Sequence, residues 1–366
     1  MGTLETARLI VRLDAIAANY RLCGELAAPA TVAGVVKADA YGLGAAPVAR
    51  KLAAAGCDTF FVARLEEGIA LRPIVPAARI FVLDGLQGDG APAFIAHRLI
   101  PVLNSLEEIA AWSAAARARS SELDCAIHID TGMNRLGLPP DELATLASES
   151  ARRLAQLRPA LIVSHLACAD DPQSAMNKVQ RERFRAALAL LPHAPASLSS
   201  TGGVLLGRDY AFDMVRPGIG LYGGNPQASR PNPFAVAALL KGRILQLRRV
   251  DRGDSVGYGA TCRIERPSTL ATAGLGYADG LMRAIGNRGA GAIAGIRAPI
   301  AGRLSMDLVT LDVTDLAAET LAVGAEVEFL GDTISLEEFA RWAGTANYEV
   351  LTSLGHRVPR HYESAR

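Results

Sequence analysis

Between residues 31 and 219, short apolar segments rich in β-branched side chains alternate with longer segments rich in Ala, Leu, Glu and Arg. The apolar segments are 31–38, 59–63, 79–83, 99–104, 123–130, 158–166, 195–202 and 212–219. Continuous apolar runs of this length fit strands buried on both faces, which occur in parallel sheets covered by helices. The intervening stretches 44–55, 64–72, 105–118, 141–155 and 174–191 predict those helices. Eight strand units in about 200 residues predict an α/β fold with a (β/α)8 barrel of the TIM type. A doubly wound sheet is the alternative, because periodicity does not establish closure.

The alternation stops at Pro231-Asn232-Pro233. Beyond it, 236–250, 268–275, 290–301 and 308–314 predict strands with no long helix between them, and 335–343 predicts one short helix. The reading is therefore a barrel over 1–233 followed by a β-rich C-terminal domain over 234–366, the Pro/Asn cluster marking the boundary. A chain of 366 residues suits two domains at ~100–200 residues each.

Composition narrows the partners. Lys plus Arg is 38 and Asp plus Glu is 37, a net charge of +1, which argues against nucleic acid or an anionic membrane surface. Lys241, Arg243, Arg248, Arg249 and Arg252 read as a solvated strand face. The five cysteines are odd in number and contain no CxxC pair. Together with Glu5, Arg8 and Arg12 near the start, where a secretory signal would need an apolar run, they predict a cytoplasmic protein. No uncharged apolar stretch approaches the ~18 residues of a membrane span. The six histidines lack metal-ligand spacing, so no catalytic metal is expected.

Chemistry-bearing residues fall at the predicted C-terminal ends of barrel strands, where barrel enzymes build their active sites. Lys37 lies in VVKADAYGLG (35–44), and an ammonium among apolar neighbours is costly unless paired, deprotonated or modified. A strand-end lysine reaching solvent is the plain alternative. RPGIGLYG (216–223) contains GxGxxG, but after the eighth predicted strand it cannot open an early dinucleotide-binding unit. With Ser199, Ser200, Thr201 and Gly202 it makes a better phosphate cradle, built from the loops after strands seven and eight. His165 ends strand six. In the second domain VGYGATC (256–262), GLGYADG (274–280) and GRLSMD (302–307) read by themselves as hairpin turns.

Taken together, these motifs with HIDTGMNRLG (128–137), SHLACADD (164–171) and NYEVLTSLGHRVPR (347–360) resemble the alanine racemase family in order and spacing over nearly the whole chain. That resemblance implies a pyridoxal 5'-phosphate (PLP) enzyme, a homodimer with active sites shared between subunits, making D-alanine for peptidoglycan. It implies that Lys37 carries the cofactor and, once freed by substrate, is the base on one face of Cα. Tyr258 from the other subunit is the base on the opposite face. Tyr41, Ser200, Tyr348 and the backbone of Gly218 and Ile219 would hold the phosphate, and Arg216 the pyridine nitrogen. Arg135 would reach the ring hydroxyl and the substrate carboxylate. Met306, also from the other subunit, would contact substrate, with Tyr277 and Arg303 at the entrance. A tyrosine hydroxyl ordinarily titrates near ~10, so a tyrosine base needs help, here from His165 backed by Arg216. Met306 and Tyr348 crowding the substrate methyl favour alanine. The alternatives are a racemase of broader specificity or another PLP barrel enzyme such as a decarboxylase; Arg216 argues against the latter, which usually places an acid at the pyridine nitrogen.

Two positions depart from the family pattern. His128 stands where a carbamylated lysine is usual, so a buried Arg135 would lack its negative partner; a small anion is the expected compensation. Ser199 stands where Asn is frequent, which implies a small loss of hydrogen bonding in the phosphate loop.

Overall fold

The computed structural model describes residues 5–364. Residues 1–4 and 365–366, the outer ends of the two expected domains, lie outside the described residues. The strands are β1 (Ala7–Arg12), β2 (Thr31–Val32), β3 (Gly34–Val35), β4 (Thr59–Val62), β5 (Arg79–Val82), β6 (Ile100–Leu103), β7 (Leu123–His128), β8 (Leu157–Val163), β9 (Ala196–Ser197) and β10 (Met214–Val215). They continue with β11 (Ala238–Val250), β12 (Ser255–Val256), β13 (Cys262–Arg263), β14 (Ser268–Ala273), β15 (Ala290–Ile293), β16 (Ile296–Pro299), β17 (Val309–Asp312), β18 (Glu326–Leu330) and β19 (Arg360–Glu363).

Strands β3 to β9 pair in parallel, in sequence order. β2 and β3 are two halves of one extended segment interrupted at Ala33, and β2 pairs with β10 through Met214↔Thr31 and Val215↔Val32. The Asp213 N–H donates to Ala196 O and the Arg216 N–H to Ser199 O, which ties β10 to β9 and closes the ring. Closure settles the choice between barrel and open sheet. Phe60, Phe61, Ile80, Phe81, Val102 and Ile127 are buried, and the Phe61 and Phe81 rings stack at 4.8 Å. Interior aromatics of this size fill the barrel and leave chemistry only to its rims.

The predicted helices form at Ala45–Ala54, Leu65–Leu71, Leu106–Arg119, Pro140–Ser148 and Ala175–Leu188. Local signals set their ends. The Ser105 hydroxyl accepts from the Glu108 N–H, and Arg117 and Arg119 lie in the last turn of Leu106–Arg119, where the helix dipole favours cations. The last two barrel strands are much shorter than expected. Ser200 already stands at the N-cap position of the helix Thr201–Leu206, and Pro217 and Gly218 turn the chain out of β10.

The second sheet runs β16-β15-β18-β11-β1-β19, with β14 pairing β11 and β17. Its core includes Ile244, Val309, Leu311, Val327 and Phe329. One strand belongs to it against expectation. β1 pairs antiparallel with β11 and parallel with β19, so residues 7–12 lie in this sheet and not in the barrel. Its side chains explain why. Leu9 and Val11 are fully buried while Arg8 and Arg12 are paired with Glu326 and Asp332. The first helix, Leu13–Ala27, then carries the chain back to the barrel.

Candidate active site

A cavity of about 770 Å³ opens at the C-terminal ends of the barrel strands. Lys37, Tyr41, Arg135, His165, Ser200, Arg216, Gly218, Ile219 and Tyr348, nine of the residues singled out in the sequence, line it together. Tyr258, Met306, Tyr277 and Arg303 do not. Tyr258 is 69% exposed and Met306 53% exposed, both on the second domain. The Ala278 N–H donates to Met306 O at 3.0 Å and the Tyr277 N–H to Ser305 O at 3.2 Å, so the GLGYADG and GRLSMD loops form one surface.

Lys37 sits just past β3. Burial lowers its pKa and the Arg135 charge lowers it further; Asp84 and Glu67 oppose this. The chain after it is unusual. Ala38, Asp39, Ala40 and Tyr41 all have φ between 52° and 57°, one full left-handed helical turn without a glycine. Such a conformation costs about 1–2 kcal/mol per residue. Gly42 and Gly44 close the turn, with the Gly42 N–H on Ala38 O and the Gly44 N–H on Asp39 O. The Asp39 carboxylate accepts from the Ala45 N–H at 2.7 Å. The turn places the Tyr41 ring against Tyr222 at 4.8 Å, and the Tyr222 hydroxyl donates to Val35 O at 2.7 Å.

The opposite wall is a cradle of unspent donors. The Ser200 hydroxyl makes no cap bond. Tyr41 and Tyr348 rings lie 6.2 Å apart. The Gly218 and Gly220 N–H groups both donate to the Thr201 hydroxyl at 3.1 Å. Of the two backbone groups expected to meet a phosphate, Gly218 thus has its N–H engaged within the chain, and the Ile219 N–H donates to nothing among the described residues. Thr201 was not singled out in the sequence beyond its place among small donors, yet it shapes this loop. The Ser199 hydroxyl turns away to Tyr210 O at 2.6 Å.

Arg216 lies at the floor, 6% exposed. Its guanidinium donates to Ser164 O at 2.7 Å and to Ser197 O at 2.9 Å, and also to the Ser197 hydroxyl. No carboxylate pairs with it among the described residues. Burial lowers its pKa to about 10, which leaves it charged at neutral pH. Among the described residues it makes no hydrogen bond to the His165 ring, and its charge acts on that ring through space. His165 is held through its carbonyl, which accepts from Gln180 Nε2 at 2.9 Å; the same amide reaches the Thr131 hydroxyl at 3.1 Å. Burial, Arg216 and Arg135 push the His165 pKa down to about 3, so its imidazole is neutral.

His128 ends β7 with Nδ1 2.7 Å from Asn104 Oδ1. Asn104 Nδ2 is committed to Val102 O at 2.8 Å, so its oxygen faces the ring and Nδ1 is the donor. Burial and the charges of Arg216 and Arg135 lower the His128 pKa to about 4. Arg135 itself is exposed in the single chain. Asp130 shapes its loop, accepting from the Gly132 and Met133 N–H groups at 2.8 and 2.9 Å. The cavity thus collects Lys37, Arg135 and Arg216 around two neutral imidazoles, a setting for an anion with an aromatic or planar body. Among the described residues no group of three or more His, Cys, Asp or Glu is arranged to hold a metal ion.

Comparison with known proteins agrees with this architecture. The pattern described as "Alanine racemase, N-terminal domain" matches residues 11–226, and "Alanine racemase, C-terminal domain" matches 237–362. The chain belongs to the alanine racemase family. A protein named alanine racemase from Rhodospirillum rubrum is 48% identical over 99% of this chain and 97% of its own length. One named "Alanine racemase, catabolic" from Agrobacterium fabrum is 46% identical over 98% of this chain and 92% of its own length. The crystal structure of alanine racemase from Bartonella henselae with covalently bound pyridoxal phosphate superposes with a TM-score of 0.94 at 38% identity, covering 98% of this chain and 100% of that one. The alanine racemase fold accordingly combines the barrel and the second sheet described above.

Proposed function

We propose that this chain interconverts L- and D-alanine with PLP as cofactor, by a two-base mechanism in a homodimer. The observation that carries this reading is the composition of the cavity at the barrel-strand ends. It sets one lysine with depressed basicity opposite a cradle of free hydroxyls, over a buried arginine that has no acidic partner. That donor set fits PLP: Lys37 would take its aldehyde, Tyr41, Ser200, Tyr348 and the Ile219 N–H its phosphate, and Arg216 its ring nitrogen. When bound, PLP supplies the electron sink that stabilises the charge left on Cα after proton loss.

The chain's own groups do the rest. Arg216, charged at neutral pH, would donate a hydrogen bond to a ring nitrogen without protonating it, which would keep the electron sink weak and limit side reactions. The Lys37 amine, less basic than a free lysine, exchanges a proton at Cα on one side. Racemisation needs a second acid/base group on the other side. His128, His165, Tyr41 and Tyr348 also line the cavity, and this reading gives them to positioning and to the phosphate; Tyr258 stands exposed on the second domain. Tyr258 from a second copy completes the site, with Met306 against the substrate. His165 orients that tyrosine as a neutral hydrogen-bonding partner, and Arg135 binds the substrate carboxylate. The division of labour follows two domains meeting near 233, and all five cysteines are free, which supports a cytoplasmic location. Supply of D-alanine for peptidoglycan is the use this reading assigns to the product.

The test is a visible spectrum of the purified protein followed by alanine interconversion assays against serine and lysine. Wild type is expected to show a lysine-bound PLP band and to prefer alanine. Lys37→Ala is expected to lose both band and activity; a fully active Lys37→Ala protein that still binds PLP would overturn the assignment.

A further inference from the structure

We infer that Glu67 is a positioning residue for Lys37, fastening the left-handed turn that follows the lysine to the end of the neighbouring barrel strand. The inference rests on the reading of Lys37 given above. Its basis is one carboxylate that collects three backbone donors from two strand ends. Glu67 Oε1 accepts from the Ala38 N–H at 2.6 Å. Oε2 accepts from the Ala63 N–H at 2.7 Å and the Arg64 N–H at 3.1 Å. Ala38 is the residue after Lys37, and Ala63 and Arg64 follow β4.

A glutamate at the third position of the helix Leu65–Leu71 needs only the Arg64 N–H to serve as a helix cap. The bond to Ala38 is additional, and it falls where the backbone is under the greatest conformational load. The Ala38 N–H opens the left-handed turn and has no partner within it, whereas later turn residues bond inside it. Loss of the carboxylate would leave that donor unpaired and remove a restraint against relaxation to the right-handed form. Lys37 would then shift, because it shares a peptide unit with Ala38.

The carboxylate also acts on the amine through space. Burial, Arg135 and Arg216 lower the basicity of Lys37, while Asp84 and Glu67 raise it. Removing the Glu67 charge tips that balance further down. A helix cap alone would do neither.

The experiment uses the full chain stripped of cofactor, with PLP added back across a pH series. The rate of appearance of the lysine-bound band is followed together with alanine kinetics and the melting temperature. In Glu67→Gln the reconstitution midpoint is expected to move to lower pH, because the amine deprotonates more readily. kcat is expected to fall about tenfold with little change in the KM for alanine, the scale of one lost hydrogen bond to a charged group. Glu67→Asp keeps the charge and shortens the reach, so it is expected to restore the midpoint but not kcat. A Glu67→Gln protein with a wild-type midpoint and kcat, even with a lowered melting temperature, would show a helix cap only and overturn the inference. Should Glu67→Gln not fold, Glu67→Asp decides: wild-type kcat overturns the inference, and slow turnover at an unchanged melting temperature supports it. Failure of wild type to form the band would strike the proposed function instead.

Discussion

Adding one methyl group at Gly218 should loosen cofactor binding without disabling the chemistry. At φ −120° Gly218 lies outside the left-handed region that favours glycine. The obstacle is Tyr41. A Cβ at Gly218 would overlap the Tyr41 hydroxyl and lie 2.9 Å from Cζ and 3.5 Å from Cε2. Ordinary carbon contacts need ~3.5–4.0 Å, so the ring end must retreat by roughly 1 Å. It has little room, since Tyr41 is 8% exposed and packed against Tyr222, which is anchored on Val35 O. Overpacking of this kind costs about 1–3 kcal/mol. If the tyrosine swings away instead, the phosphate loses a hydrogen bond to a charged group, about 1.5–3 kcal/mol, or roughly 10- to 150-fold in affinity. Gly218→Ala should therefore raise the PLP Kd at least about tenfold by equilibrium dialysis, while kcat at saturating PLP and the KM for alanine stay near wild type. Tyr41→Phe in the Gly218→Ala background removes the clashing oxygen, so it should recover melting temperature but not affinity. An unchanged Kd in Gly218→Ala would refute the placement of the Tyr41 hydroxyl on the phosphate.

Mixing Lys37→Ala and Tyr258→Ala subunits should restore activity at about a quarter of all sites, because random exchange makes half the dimers hybrid and each hybrid has one intact site. No recovery after verified exchange would mean that both bases come from one chain. Stability should fall in acid. The folded pKa values of His128 and His165, about 4 and about 3, lie below the unfolded reference of 6.5. The unfolded chain therefore takes up protons that the folded chain refuses, and stability present above pH 6.5 is lost as pH falls toward those values, by several kcal/mol in order of magnitude (roughly 1.4 kcal/mol per unit). His128→Gln should flatten the slope of melting temperature against pH; an unchanged slope would contradict it. Activity should survive removal of dissolved carbon dioxide, since His128 offers no amine to carbamylate; loss of activity would refute that.

The barrel was legible because buried parallel strands need continuous apolar runs, and 59–63 and 79–83 are such runs after Thr59 and Arg79 at their starts. β1 was not, since the short run ARLIVR at 7–12 carries no sign of partners at 238–242 and 360–363. Lys37 and His165 followed from strand-end placement, Arg135 and Arg216 from the family resemblance. Thr201, Gln180 and Asn104 were hidden for a different reason: each acts by a hydrogen bond across loops that no local spacing encodes. The left-handed turn at 38–41 was hidden most completely, because Ala, Asp and Tyr advertise no such conformation.

The pairing of β1 with β19 also bears on how the chain is made. Leu9 faces Arg360 and Val11 faces Tyr362, so a ribosome releases one side of this ladder roughly 350 residues before the other. The barrel can condense on its own local contacts while residues 7–12 wait. During that interval Leu9, Ile10 and Val11 form an open apolar edge, the kind of segment that recruits chaperones or strays into wrong pairings. The Arg8 and Arg12 charges on either side keep that waiting edge hydrated until its partners emerge.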